Sequence, residues 1–286
     1  MWILYAVLAA FFAGIMSIIA KLGLKNVNSN LNTALRTTVV AIFICVVVFF
    51  VGSHREIAQI DNRSLIFLLL SGAATGGSWL AYFKALKIGD VNKVSPIKKS
   101  SVILTVILAF IILREPISPI GIGLIVVMAL GTYLMINFKK SSKEVVGYQW
   151  LFYGLLAAVF ASLTSILASI GIVGVEVNLG IAIRTLVVLV MAWGIVFFQG
   201  KQTEIKDIKG QDWFYIILSA LATGGSWLFF FRALQTGPVS VVVPIDKLSI
   251  LVTIAFSYFM LKEKMSSKAF IGLVLIVIST VGLVFF

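Results

Sequence analysis

Ten runs of roughly twenty apolar residues, each closed by a few polar or turn-forming residues, leave this chain few ways to fold, because a helix of that length crosses the hydrocarbon of a bilayer. Hydrocarbon offers no partner to a backbone N–H or C=O, so a segment inside it must satisfy them internally, as a helix does. The runs fall near 2–20, 31–51, 64–86, 93–113 and 117–138, then near 149–170, 179–199, 212–235, 239–261 and 266–286. Gly52-Ser53, Gly89-Asp90, Arg114-Glu115-Pro116 and the polar stretch Lys139 to Glu144 supply the breaks. With 60% hydrophobic and 12% charged residues, a water-soluble fold would expose large apolar patches, so the bilayer is the expected solvent. Met1 to Ala20 lacks a basic leader and runs into Lys21, which predicts a first span rather than a cleaved signal. The single cysteine, Cys45, rules out an intrachain disulfide and a thiolate metal cluster.

The chain also repeats itself. Thr75-Gly76-Gly77-Ser78-Trp79 recurs 148 positions later as Thr223-Gly224-Gly225-Ser226-Trp227, and the same shift lays Arg36-Thr37 on Arg184-Thr185 and Pro96-Ile97 on Pro244-Ile245. Lys99 falls on Lys247, Glu115 on Glu263 and Trp2 on Trp150. About a third or more of the aligned positions are identical without a gap, more than shared apolar composition produces. The expected organisation is a first five-helix unit over 1–138, a polar linker over 139–148 and a second unit over 149–286.

Five is odd, so the second unit enters the membrane from the side opposite to the first. The predicted fold is an all-α membrane protein of ten transmembrane helices in two inverted-topology repeats, an arrangement shared by many secondary transporters. Loop charge agrees. Lys21 and Lys25 after the first helix face a counterpart, Gly171 to Asn178, without Lys or Arg, whereas Lys201, Lys206 and Lys209 after the seventh helix answer Arg55 and Arg63. Gathering loops by face puts about thirteen basic residues on one side and about four on the other. The basic side, with Lys87, Lys139 and Lys262, is expected to be cytoplasmic, which places both termini outside. The formal charge of +12 is thereby accounted for by loops at a bilayer rather than by a nucleic-acid surface.

These residues resemble the EamA domain of the drug/metabolite transporter superfamily. The cues are Arg36 and Arg184 in the second helix of each half and a Gly/Ser-rich third helix ending in Ala85-Leu86 and Ala233-Leu234. Pro96 and Pro244 early in the fourth, and Glu115 and Glu263 before the fifth, complete them. Thr-Gly-Gly-Ser-Trp and Pro244 to Ser249 are similar in particular to half-length, single-repeat members, so the chain reads as two such units in tandem. The resemblance implies a central cavity walled by both halves and movement of amino acids, sugars, nucleotides or other small metabolites. It also implies termini inside, against the lysine bias of this chain, which is followed here.

Charged groups within a span are candidates for function because each costs several kcal/mol unless it pairs, snorkels or lines water. Arg36 and Arg184 can either reach the interface or face a cavity. Trp79 and Trp227 lie deep, each after Gly-Gly-Ser, and serve either packing or a cavity wall. Lys84 and Arg232 end the third and eighth helices, while Lys98, Lys99, Asp246 and Lys247 follow the proline of the next. A short hairpin brings these groups to similar depth, so Arg232 is expected to pair with Asp246, whereas the corresponding Lys84 and Lys98 repel. The resulting excess of positive charge favours an anionic or zwitterionic ligand. Glu115 and Glu263 precede Ser118 and Ser266, the expected N-caps of the final helix of each half, and are read as capping and hairpin chemistry.

No phosphate-binding loop, paired catalytic carboxylates, nucleophile elbow or His-rich metal spacing is present, which argues against an ATP-driven pump, an enzyme and a bound cofactor. The first and sixth helices hold no Asp or Glu, which weighs against proton/cation exchange at a membrane carboxylate. The sequence thus predicts a secondary transporter or facilitator of small polar metabolites in the cytoplasmic membrane, sufficient as a monomer because both repeats share one chain. The competing readings are a non-transporting membrane scaffold and an exporter of cationic or aromatic compounds.

Overall fold

The computed structural model describes residues 1–23, 27–88, 94, 97–98, 100–135, 148–261 and 266–285, with backbone alone for 20–23, 87 and 257–261. Its described residues are helices, turns and short connections. The helices are α1 (Trp2–Gly23), α2 (Ser29–Val51), α3 (Asn62–Ile88), α4 (Ser101–Ile112), α5 (Pro119–Leu134) and α6 (Gln149–Gly171). They continue as α7 (Val177–Phe198), α8 (Gly210–Thr236), α9 (Val239–Lys247), α10 (Ser249–Leu261) and α11 (Ser267–Phe285). Eight segments are long and apolar enough to cross a membrane, with α9 and the start of α10 counted as one, while α4 and α5 are shorter apolar helices. Of the expected linker over 139–148, only Tyr148 is among the described residues.

Local chemistry sets the boundaries. The Asn28 side chain caps α2 by accepting the N–H of Asn30 at 2.9 Å, and Ser118 caps α5 by accepting that of Gly121 at 3.0 Å, with Pro119 in the first turn. Ser266 accepts the Ala269 N–H at 3.3 Å, so the two serines expected to cap the final helices do so. Gly52 and Gly200 stop α2 and α7 in the left-handed conformation, and each is followed by a short 3-10 turn, Ser53–Gln59 and Lys201–Asp207.

The expected span over 239–261 is not one continuous helix. It is divided at Leu248, whose N–H bonds the Ile245 carbonyl at 2.9 Å, a tighter turn than an α-helix makes. Pro244, inside α9, has no N–H to continue the regular ladder. Ser100, 148 positions earlier, has the same dihedrals (φ −64°, ψ −9°) and bonds Ile97 at 3.2 Å. The two fourth helices therefore carry the same interruption at the same register.

Packing exchanges partners between the halves. α1 runs along α8 and α3 along α6, α2 packs on α7, α5 on α11, and α4 on α9. Individual bonds repeat with the roles reversed: Ser78 Oγ donates to the Ala157 carbonyl at 2.9 Å, and Ser226 Oγ donates to the Ala9 carbonyl at 3.0 Å. Gly77 lies against Phe160 of α6 and Gly225 against Phe12 of α1, and the glycine before each faces a different helix. A side chain on Gly76 would collide with Met191, and one on Gly224 with Phe43, which occupy corresponding positions.

Two ends of the bundle are defined by bonds between connections. At one, Ser64 Oγ donates to the Val173 carbonyl and Gln235 Nε2 to those of Ile172 and Val175, with Trp2 against Gly237. At the other, Asn30 Nδ2 donates to Gln199 Oε1 at 2.6 Å, close to the turn that begins at Lys201.

Candidate functional site

The interruptions in the fourth helices face a cavity of about 460 Å³. Equivalent residues of the two halves wall it: Ser101 with Ser249, Val102 with Ile250, and Met128 with Ile276. Restarting each helix at Ser101 and Ser249 turns these hydroxyls inward, just past the lysines that end the preceding segments. Ser17, Thr132 and Met135, all late in their helices, extend the wall toward the Lys201 end.

Lys98 and Lys247 both line the cavity, but their surroundings differ. Lys98 Nζ lies 4.0 Å from the centre of the Tyr82 ring, a cation–π contact. Lys247 Nζ lies 3.2 Å from Asp246 Oδ2. This corrects the expected Arg232–Asp246 pair: Arg232 sits exposed between buried Phe231 and Ala233, on the outward face of α8. Lys84 is likewise exposed, so the expected repulsion between Lys84 and Lys98 does not build the cavity's charge. Lys99 lies outside the described residues, as do Pro96, Asp90 and Glu263.

The arginines are not on the cavity wall but are held against the third helix of the opposite half. Arg184 is buried, its Nε donating to Ser71 Oγ at 3.1 Å and an Nη to Thr75 Oγ1 at 2.7 Å. The rings of Trp227 and Phe231 lie 5.1 and 5.2 Å from the guanidinium carbon. Arg36, its counterpart, donates to Thr223 Oγ1 at 3.2 Å and touches Met16 Sδ at 3.4 Å. Each arginine of one half thus binds the third-helix threonine of the other. Trp79 packs beside Leu31, Leu35, Val196 and Ile216, and Trp227 packs on the main core.

The side chains at the cavity that sequence reasoning missed are Tyr82 and the hydroxyls Ser17, Ser101, Ser249, Thr132 and Thr253. Ser101 and Ser249 carried a signal, since the repeat preserves them two residues after Lys99 and Lys247. Glu115 also proved informative. Its Oε1 accepts the N–H of Val239 at 2.7 Å and its Oε2 that of Ser240 at 2.8 Å, so it caps α9 rather than its own hairpin. A second, polar depression of about 540 Å³ opens beside it, walled in part by Asp61, Arg63 and Ser64.

A bundle of membrane-crossing helices, interrupted where two lysines meet a cavity, defines an integral membrane protein of the transporter class. The EamA-like transporter family matches residues 1–137 and again 148–285, and the chain belongs to that family. A relative from Sinorhizobium sp., named as an uncharacterized transporter in the cobO 3' region, is 37% identical over 137 residues, which is 48% of this chain and 97% of that protein. The half-length relative supports reading the chain as a duplication. A solved crystal structure of another protein, 16% identical, superposes with a TM-score of 0.74 over 96% of this chain and 94% of that one, a likeness of fold.

Proposed function

We propose that the protein is a secondary transporter or facilitator of small anionic or zwitterionic metabolites in the cytoplasmic membrane, working by alternating access between two inverted five-helix repeats. The observation that carries this reading is a single cavity walled by equivalent residues of both halves, at the interruptions of both fourth helices and holding Lys98 and Lys247. Discontinuous helices frame the midplane sites of many such transporters, because an interrupted helix exposes backbone and side-chain polarity where a solute can use it.

The ends of the bundle differ in a way that fits one state of such a cycle. Glu115 clasps α9 at the Trp2 end, while the cavity extends toward the Lys201 end. With the basic loops on the cytoplasmic side, the cavity would face the cytoplasm and the clasp the outside. A scaffold without transport would have no use for a cavity between its halves. An exporter of cations would meet two lysines at the wall.

Reconstitution in proteoliposomes tests the reading. Lys98→Ala with Lys247→Ala should abolish movement of the transported solute while the protein remains monodisperse. Undiminished transport by that variant would remove the lysines from the path.

A further inference from the structure

The charge and polarity of the cavity wall restrict the ligand further than the transport reading does, on which this inference rests. Among the described residues, Asp246 is occupied by Lys247, and Lys98 has an aromatic face but no carboxylate. The described side chains around the cavity therefore carry one positive charge that no described carboxylate on the wall balances. Ser17, Thr132 and Thr253 do not change this: each donates its hydroxyl hydrogen to a carbonyl of its own helix, at 2.8, 2.8 and 3.0 Å, and keeps only neutral oxygen for a ligand. Much of the remaining wall is hydrocarbon or thioether, including Val102, Met128, Met135, Ile250 and Ile276.

Among the described residues, a desolvated ammonium group placed there would find no free carboxylate, and a second anionic group no second free cation, each at a cost of several kcal/mol. We infer that the cavity selects an organic monoanion with an apolar body, bound with its carboxylate at Lys98 and its hydrocarbon against Met128, Met135 and Ile276. Lys98 is then the residue that sets charge selectivity, and the zwitterions allowed by the broader reading are excluded. The volume of about 460 Å³ suits a body of one ring, within the range of small-molecule sites of about 300–1,000 Å³.

Four probes with one phenyl body and different charge separate the possibilities: 3-phenylpropionate, phenylalanine, 2-phenylethylamine and benzylmalonate. Isothermal titration calorimetry on the purified full chain should show 3-phenylpropionate binding at least about tenfold more tightly than the other three. Propionate, which lacks the body, should bind correspondingly weakly. Lys98→Met should lose roughly tenfold or more of the 3-phenylpropionate affinity, as expected for one charge-assisted hydrogen bond, and Lys98→Arg should keep most of it. Because Lys98→Met could disturb the helix interruption, Ile276→Trp provides a second variant that fills the cavity from the opposite wall and should also lose binding.

Equal or tighter binding of phenylalanine, 2-phenylethylamine or benzylmalonate, unchanged affinity in Lys98→Met, or binding of none of the probes overturns the inference. A proteoliposome assay separates this from failure of the transport reading. Translocation of another class of solute without affinity for 3-phenylpropionate sinks the selectivity alone, whereas tight binding of 3-phenylpropionate with no translocation of any solute sinks the transport reading.

Discussion

Glu115 holds α9 of the other half of the chain by its first turn, its Oε1 accepting the Val239 N–H at 2.7 Å while Oε2 takes that of Ser240. The first N–H groups of a helix have no partner within it, and Pro238, at the cap position, contributes no side-chain hydrogen bond. A carboxylate there supplies two acceptors and opposes the positive end of the helix dipole. Glu115→Ala should cost about 0.5–2 kcal/mol, read as a lower unfolding midpoint in detergent. Glu115→Gln should fall between the two, since an amide offers one acceptor and turns a donor toward the second N–H. If the clasp also closes that end, a cysteine replacing buried Leu234 beside the polar depression should react faster with a water-soluble maleimide in the Glu115→Ala background, with Cys45 replaced by serine. An unchanged labelling rate would reduce Glu115 to a cap.

The long-range partner of Glu115 is not legible in the sequence. The place of Glu115 before Ser118 suggested local capping, and the serine does cap α5. The glutamate reaches across to a helix 124 positions away, a partner that no local pattern encodes. What the sequence did disclose were features with a period: apolar runs, the repeat at 148 positions, and the serines and glycines on the third helices. What it hid were side-chain directions. Arg232 and Lys84 sit at the expected depth in their helices but point outward, because depth follows from position whereas direction depends on which neighbours a helix meets. Tyr82 was overlooked for the same reason, since only the fold brings Lys98 over its ring.

Arg184 is held by two hydroxyls and two aromatic faces rather than by a carboxylate. Two hydroxyl acceptors and two flanking aromatic rings suit a planar, forked cation. Arg184→Lys should therefore destabilise the fold by about 1–3 kcal/mol, from lost charge-assisted hydrogen bonds and aromatic contact. Arg36→Lys should cost less, because Arg36 donates to one hydroxyl and a thioether. Thermal unfolding of the two variants side by side checks the order, and equal losses would contradict the assignment.

The close approach at Gly76 is a matter of volume. Gly76→Val forces a branched side chain into the space of Met191, and overpacking of this kind costs about 1–3 kcal/mol. Met191→Ala made together with Gly76→Val should recover part of that loss, an interaction measurable by a double-mutant cycle. Gly224→Val with Phe43→Ala should behave in the same manner, since Gly224 meets Phe43 as Gly76 meets Met191. Simple additivity in both cycles would show that the crowding is relieved elsewhere.

Met128 and Ile276 approach the cavity from opposite halves at corresponding positions, so filling it from either side should have the same consequence for transport. Met128→Trp and Ile276→Trp each add bulk at the wall, and because both residues are largely buried the overpacking should cost about 1–3 kcal/mol. Both variants should still fold, with a lowered unfolding midpoint, yet transport in proteoliposomes should drop to the level of empty vesicles. Loss of transport in only one of them would mean that the solute passes along one half, and that the pseudo-symmetry of the wall is architectural. Loss in neither would place the path outside this cavity.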